Sequence, residues 1–162
     1  MQLFHLLALA TAVIALPQTK DLNTKRDTCN SQEWNIQQYT AFTAGSTSPA
    51  GGPPAFSNSH ISFKFADPNF NIQNECSVSA NTGEGLDSLV GNTYPCDGGN
   101  MYFQYFGSSI TLKRTGVPCG DVTYTETGST SLSLNCYSLF GGTQCETVTQ
   151  TNVPISFLEQ TG

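Results

Sequence analysis

Six cysteines constrain this chain more than any other feature. They stand at positions 29, 76, 96, 119, 136 and 145, all after Arg26. No spacing among them is Cys-x-x-Cys, and His60 is the one histidine that follows Arg26. A zinc site is therefore not indicated. An even cysteine count in an exported chain implies three disulfides, whose connectivity the spacing leaves open. Each bridge restricts the unfolded chain and adds about 2–4 kcal/mol of stability.

Export is read from the N-terminus. Leu3 to Leu16 is an apolar run with small residues at Ala10, Ala12 and Ala15, the make-up of a signal-peptide core. A short polar stretch, Pro17 to Thr24, leads to the dibasic pair Lys25-Arg26. A kexin-type protease of the secretory pathway cuts after Lys-Arg. Residues 1–16 are thus expected to be a signal peptide and 17–26 a short propeptide. Residues 27–162 then form one secreted domain that begins at Asp27, in the manner of a fungal preproprotein. The apolar run is too short to span a bilayer.

Charge narrows the partners. The chain carries 6 Lys and Arg against 12 Asp and Glu, a net charge of −6. Loss of Lys20, Lys25, Arg26 and Asp21 with the leader makes the balance more acidic still. Only Lys64, Lys113 and Arg114 remain as cations. Nucleic acid and anionic membranes both demand clustered Lys or Arg, so neither is an expected partner. Acidity favours solubility outside the cell and tolerates basic partners.

Helical periodicity is almost absent after Asp27. Short alternating runs recur at Trp34 to Phe42, Ser59 to Ala66, Phe70 to Ser79, Met101 to Phe106, Ser109 to Thr115, Val122 to Thr127, Leu132 to Tyr137, Cys145 to Thr149 and Ile155 to Leu158. Gly, Asn, Asp, Ser and Pro separate them. Their Thr, Ser, Tyr, Phe and Ile content suits pleated strands. Thr43 to Pro54 and Asn81 to Asn92 read as loops. The expected fold class is all-β, a compact antiparallel β-barrel or sandwich stabilised by three disulfides.

Two strands are particularly informative. Ile61, Phe63 and Phe65 alternate with Ser62 and Lys64, as in a half-buried strand. Met101 to Phe106 is aromatic on both faces, which cannot be left bare without an aggregation hazard. It reads as a central strand covered on both sides, or as one whose face lines a ligand groove or partner surface. Tyr102, Phe103, Tyr105 and Phe106 are accordingly the candidate binding surface.

The search for catalysis is mostly negative. His60 opens a strand and is expected to pack or hydrogen-bond locally, and no nucleophile-elbow motif accompanies it. A secreted ribonuclease needs a carboxylate, a general acid and phosphate-binding cations, which strains this inventory. A glycosidase needs only two carboxylates in a cleft, but Glu33, Asp67, Glu75 and Asp121 are set apart by no motif. Asp67-Pro68-Asn69-Phe70-Asn71 imitates the opening of a calcium loop. It lacks Gly at Ile72 and the closing Glu at Val78, and reads as a turn. Trp34 reads as core rather than as a sugar platform. No Asn-x-Ser/Thr sequon follows Asp27, while Thr43 to Ser48 could carry O-linked sugar.

The order of features is suggestive. Cys29 precedes Trp34 and Ile36, then come Ser59 to Phe65, Cys76, Tyr94-Pro95-Cys96, the aromatic strand through Phe103, Ile110-Thr111-Leu112, and Cys136 with Cys145. This resembles the Alt a 1 family, the AA1-like fungal major allergens and plant-defence elicitors. The resemblance implies a single compact antiparallel β-barrel with no established catalytic residues, and no cofactor is expected. It also implies a secreted protein that binds host defence proteins or small phenolic ligands. It further implies disulfides Cys76–Cys96 and Cys136–Cys145, with a first cysteine, here Cys29, able to link two chains. Cys119 departs from that pattern. The expected function is binding, as an effector, elicitor or allergen-type protein at a fungus–host interface. The rival readings are a small secreted hydrolase using acidic residues and a carbohydrate-binding component of the fungal wall.

A Cys29–Cys119 bridge would occupy the dimerising thiol, so the expected species is a monomer. On non-reducing electrophoresis it should run as one band at monomer mass. A band at twice that mass that collapses on reduction would refute the bridge.

Overall fold

The computed structural model describes residues 32–45, 58–139 and 141–161. The expected signal peptide, the propeptide with Lys25 and Arg26, Asp27, Cys29 and residues 46–57 lie outside the described residues. The described chain is almost entirely strand: β1 (Trp34–Ala44), β2 (His60–Asp67), β3 (Ile72–Ser79), β4 (Thr93–Pro95), β5 (Met101–Tyr105), β6 (Ser109–Cys119), β7 (Val122–Ser131), β8 (Leu134–Leu139), β9 (Gly142–Thr147), β10 (Thr151–Val153) and β11 (Ile155–Gln160). One short 3-10 turn, Leu86–Leu89, interrupts the expected 81–92 loop. Each of the nine expected runs overlaps a strand. β4 and β10 were not anticipated, because three residues are too few to display alternation.

Two antiparallel sheets result. The first runs β3-β2-β1-β9-β8, with β10 also paired to β1; the second runs β11-β7-β6-β5-β4. Trp34, Ile36, Ile61, Phe63 and Phe65 of the first sheet share one core with Met101, Phe103, Ile110 and Leu112 of the second. Phe63 meets Phe103 edge-on at 5.1 Å between ring centroids, and Trp34 meets Phe65 at 5.5 Å. Edge-to-face contacts of this kind add to the area term for burial. Trp34 is fully buried, as its reading as core requires.

Strand parity explains which side chains enter that core. In β1, Trp34 and Ile36 point inward, and then Tyr39 and Ala41 do. Inward positions change from even to odd because a bulge falls between Gln37 and Thr40, with Gln38 at φ 53°. An inserted residue is the ordinary way to shift side-chain parity within a strand. β6 repeats the device: Ile110, Leu112 and Arg114 are buried, then Val117 is. Its bulge lies between Arg114 and Val117 and includes Gly116 at φ 67°. That left-handed geometry suits glycine.

The sheets are fastened at their margins. Cys76 of β3 is bonded to Cys96, just past β4, so the bridge joins edge strands of the two sheets. Cys136 of β8 is bonded to Cys145 of β9, its direct cross-strand partner. Both pairings are those implied by the family resemblance. Cys119 is also disulfide-bonded. At another margin the chain passes from β10 in one sheet to β11 in the other through Pro154. A side chain on Gly128 would lie 2.7 Å from the Pro154 carbonyl oxygen, so this crossing needs glycine beneath it.

Between the sheets lies a buried ion pair. Arg114 of β6 donates from Nη1 to Oδ2 of Asp67 at the end of β2. Both residues are almost fully buried. Asp67 Oδ1 accepts from the Asn69 backbone N–H at 2.9 Å and from Asn69 Nδ2 at 3.0 Å. The Arg114 guanidinium also lies over the Phe70 ring, 4.6 Å from its centroid. Residues 68–71 therefore form a turn, as expected, with Asp67 committed to Arg114 rather than facing outward as a calcium ligand would. Glu126 of β7, directly opposite Arg114 in register, is buried as well.

Removing one partner of a buried pair strands the other charge away from water, at a cost of about 3–5 kcal/mol. Arg114→Met should lose that much stability in urea denaturation, whereas Lys64→Met, at an exposed site, should change it little. Equal losses in the two variants would show that the pair does not hold the sheets together.

Candidate functional site

The ionisable groups weighed for catalysis are dispersed. His60 Nδ1 lies 3.0 Å from the Asn58 carbonyl oxygen, and its ring packs on Phe42 at 5.6 Å. It is a locally bonded histidine. Asp67 is consumed by the ion pair. Glu33 just before β1, Glu75 on β3 and Asp121 in the turn between β6 and β7 are all exposed. No group of three His, Cys, Asp or Glu residues converges to hold a metal ion among the described residues.

The aromatic strand β5 separates into two faces. Met101, Phe103 and Tyr105 are buried, whereas Tyr102 and Gln104 are half-exposed. Phe103 and Tyr105 are therefore core residues, which corrects their nomination as binding surface: a strand's side chains alternate, and one face must close against the opposing sheet. Tyr102 remains available. Phe106, just past β5, is 46% exposed and belongs to the end of the sheet beside Gly91.

Tyr102 opens onto a depression on the outer face of the second sheet. It has a volume of about 240 Å³ and is lined by Thr93, Tyr102, Gln104, Thr111, Lys113 and Thr127, with Phe103 also at its boundary. Adjacent strands place these groups in two rows. Tyr102, Lys113 and Thr127 are direct cross-strand partners. So are Thr93, Gln104 and Thr111. Partners directly opposite stand about 4.5–5.5 Å apart at Cβ, so the two rows make one continuous polar floor.

Hydrogen bonds fix much of that floor. The Tyr102 hydroxyl donates to the Gly99 carbonyl at 3.2 Å. Gln104 Nε2 donates to Thr93 Oγ1 at 3.0 Å and to the Gly91 carbonyl at 3.4 Å. Thr111 and Ser129 hydroxyls are 2.9 Å apart. Lys113 is exposed and makes no ion pair among the described residues. The arrangement offers one ring, hydroxyls, an amide oxygen and a cation.

A second depression, about 180 Å³, lies on the first sheet around Lys64. Here Glu75 stands directly opposite Lys64, and Asp97 also lines the site. Its cation has acidic company, which sets it apart from the Lys113 groove.

The chain's architecture can be matched to solved structures. One crystal structure of the Alternaria alternata allergen Alt a 1 superposes with a TM-score of 0.53 at 18% identity, covering 80% of this chain and 91% of that one. The fold is Alt a 1-like. Another crystal structure, of the Alternaria alternata major allergen Alt a 1, gives a TM-score of 0.51 at 18% identity, over 78% and 94% of the two chains. No family model matches the sequence, and no curated protein does. At this identity the likeness is one of fold.

Lys113, Gln104, Thr93, Thr111 and Thr127 carry no signal of a site in the sequence. Each is an ordinary outward polar residue, Thr93 on a strand too short to show alternation, and only pairing across four strands assembles them. Tyr102 carried the one legible signal, an aromatic ring at a position whose parity opposes the core.

The same alternation shapes alkaline stability. Burial, then the charge of Tyr105, pushes the Tyr39 phenol well above its ordinary range. Burial, then the charge of Asp87, raises Tyr105. Both phenols ionise more readily in the unfolded chain. The stability they contribute is thus full below the ordinary tyrosine value of about 10 and is lost as pH rises above it. The thermal midpoint should fall above that pH, and phenolate absorbance of these residues should appear together with unfolding. Their ionisation in a still-folded protein at the ordinary value would contradict their burial.

Proposed function

We propose that this chain is an exported fungal protein that acts by binding and catalyses no reaction, in the manner of an effector or elicitor at a fungus–host interface. The mature form starts at Asp27, and Cys29 pairs with Cys119, leaving a monomer. Its partners are host defence proteins or small phenolic ligands, met on the outer face of the second sheet.

One observation carries this reading. His60 is committed to a neighbouring carbonyl and Asp67 to Arg114, while Tyr102 and Lys113 stand open in a concave face. Binding needs only complementary shape and a few placed polar groups. Acid–base catalysis needs a proton carrier within reach of a substrate. The likeness to a fungal allergen's fold and the oxidised cysteines support export.

Leaf infiltration with purified protein supplies the test. The wild-type response should persist in His60→Ala and Glu75→Gln and should fall severalfold in Tyr102→Ala. A response, or a hydrolytic rate on glycan or RNA, that disappears with His60 or Glu75 would sink the binding reading.

A further inference from the structure

Electrostatic isolation distinguishes Lys113. The described residues contain only Lys64, Lys113 and Arg114 as Lys or Arg. Arg114 is buried against Asp67, and Lys64 faces Glu75 across the β2–β3 ladder. Lys113 instead lies between Tyr102 and Thr127, with Thr93, Gln104 and Thr111 completing the groove. No carboxylate lines that groove. An otherwise acidic molecule has thus kept one accessible ammonium in a depression free of acidic neighbours.

From this juxtaposition we infer that the groove binds a small, hydroxylated monocarboxylate built on a six-membered ring, with the carboxylate on Lys113 and the ring against Tyr102. This rests on the outer face of the second sheet being the binding surface. The ammonium supplies the anion contact, and a charge-assisted hydrogen bond is about twice as strong as a neutral one. The Gln104 amide nitrogen is already spent on Thr93 and Gly91, which orients its carbonyl oxygen as an acceptor for a ligand hydroxyl. Thr111 and Thr127 can serve the others. A volume of about 240 Å³ is enough to seat one ring with its substituents.

Net charge argues against a polyanion. At −6 over the whole chain, the protein's field repels a polyanion, and a single cation cannot neutralise several charges. One negative charge suits one lysine. The same chemistry is offered by a sugar acid, with a saturated ring, and by a hydroxycinnamic acid, with an aromatic one.

The test is an amide-resolved NMR titration of the oxidised, full-length mature protein with galacturonate, caffeate and their methyl esters. An acid should shift the Tyr102, Gln104 and Lys113 amides. Its affinity should drop about tenfold, or 1.4 kcal/mol, on esterification and in Lys113→Gln, and stay unchanged in Lys64→Gln. Preference for galacturonate identifies the sugar acid as the source, and preference for caffeate the aromatic acid. Equal binding of acid and ester, indifferent to Lys113→Gln, overturns the carboxylate assignment while leaving the binding surface intact. Absence of shifts from every ligand also overturns it. If Tyr102→Ala in addition leaves the leaf response untouched, the surface reading falls as well.

Discussion

Phe63 against Phe103 is the contact on which the rest of the molecule depends. The rings meet at 5.1 Å across the interior, one from each sheet, within the core that the two sheets share. Once those two positions face each other, pleating decides the neighbours. Ile61 and Phe65 must also point inward on β2, and Met101 and Tyr105 on β5. Tyr102 and Gln104 are thereby turned to the outside. The groove is the reverse side of the core, produced by the same alternation.

Rigidity behind the groove comes from several independent ties. Cys76–Cys96 holds the β3 and β4 margins together, and the Pro154 crossing joins the sheets again between β10 and β11. Asp67 and Arg114 connect β2 to β6 through the interior. Arg114 immediately follows Lys113. The residue that anchors the strand inside is thus next to the one that lines the groove outside. A shallow site with few contacts gains most from such preorganisation, since little ordering remains for the ligand to drive.

Much of this was legible in the residues. Alternation in Ile61-Ser62-Phe63-Lys64-Phe65 identified β2 and its inner face, and nine runs located nine strands. Trp34 as core, His60 as a local hydrogen-bonding residue and a turn after Asp67, at 68–71, all agree with the structure. β5 was ambiguous because both its faces are aromatic, so alternation alone could not say which one closes. The bulge at Gln38 gave no signal, since a non-glycine residue occupies the left-handed position. Glu126 and Arg114 occupy inward positions that the sequence does not reveal, because charge at a core site contradicts the apolar alternation that marks a core.

By itself the sequence determined the all-strand architecture, the acidic character of the chain, its even number of cysteines, and a single histidine after Arg26. These follow from composition and from a period of two, which are properties of neighbours along the chain. The tertiary structure alone decided which face of β5 is buried, that Arg114 turns inward while Lys113 does not, and that residues from four strands share one groove. Those outcomes depend on strand register and on the sheet lying opposite, and both are set by contacts between residues far apart in sequence.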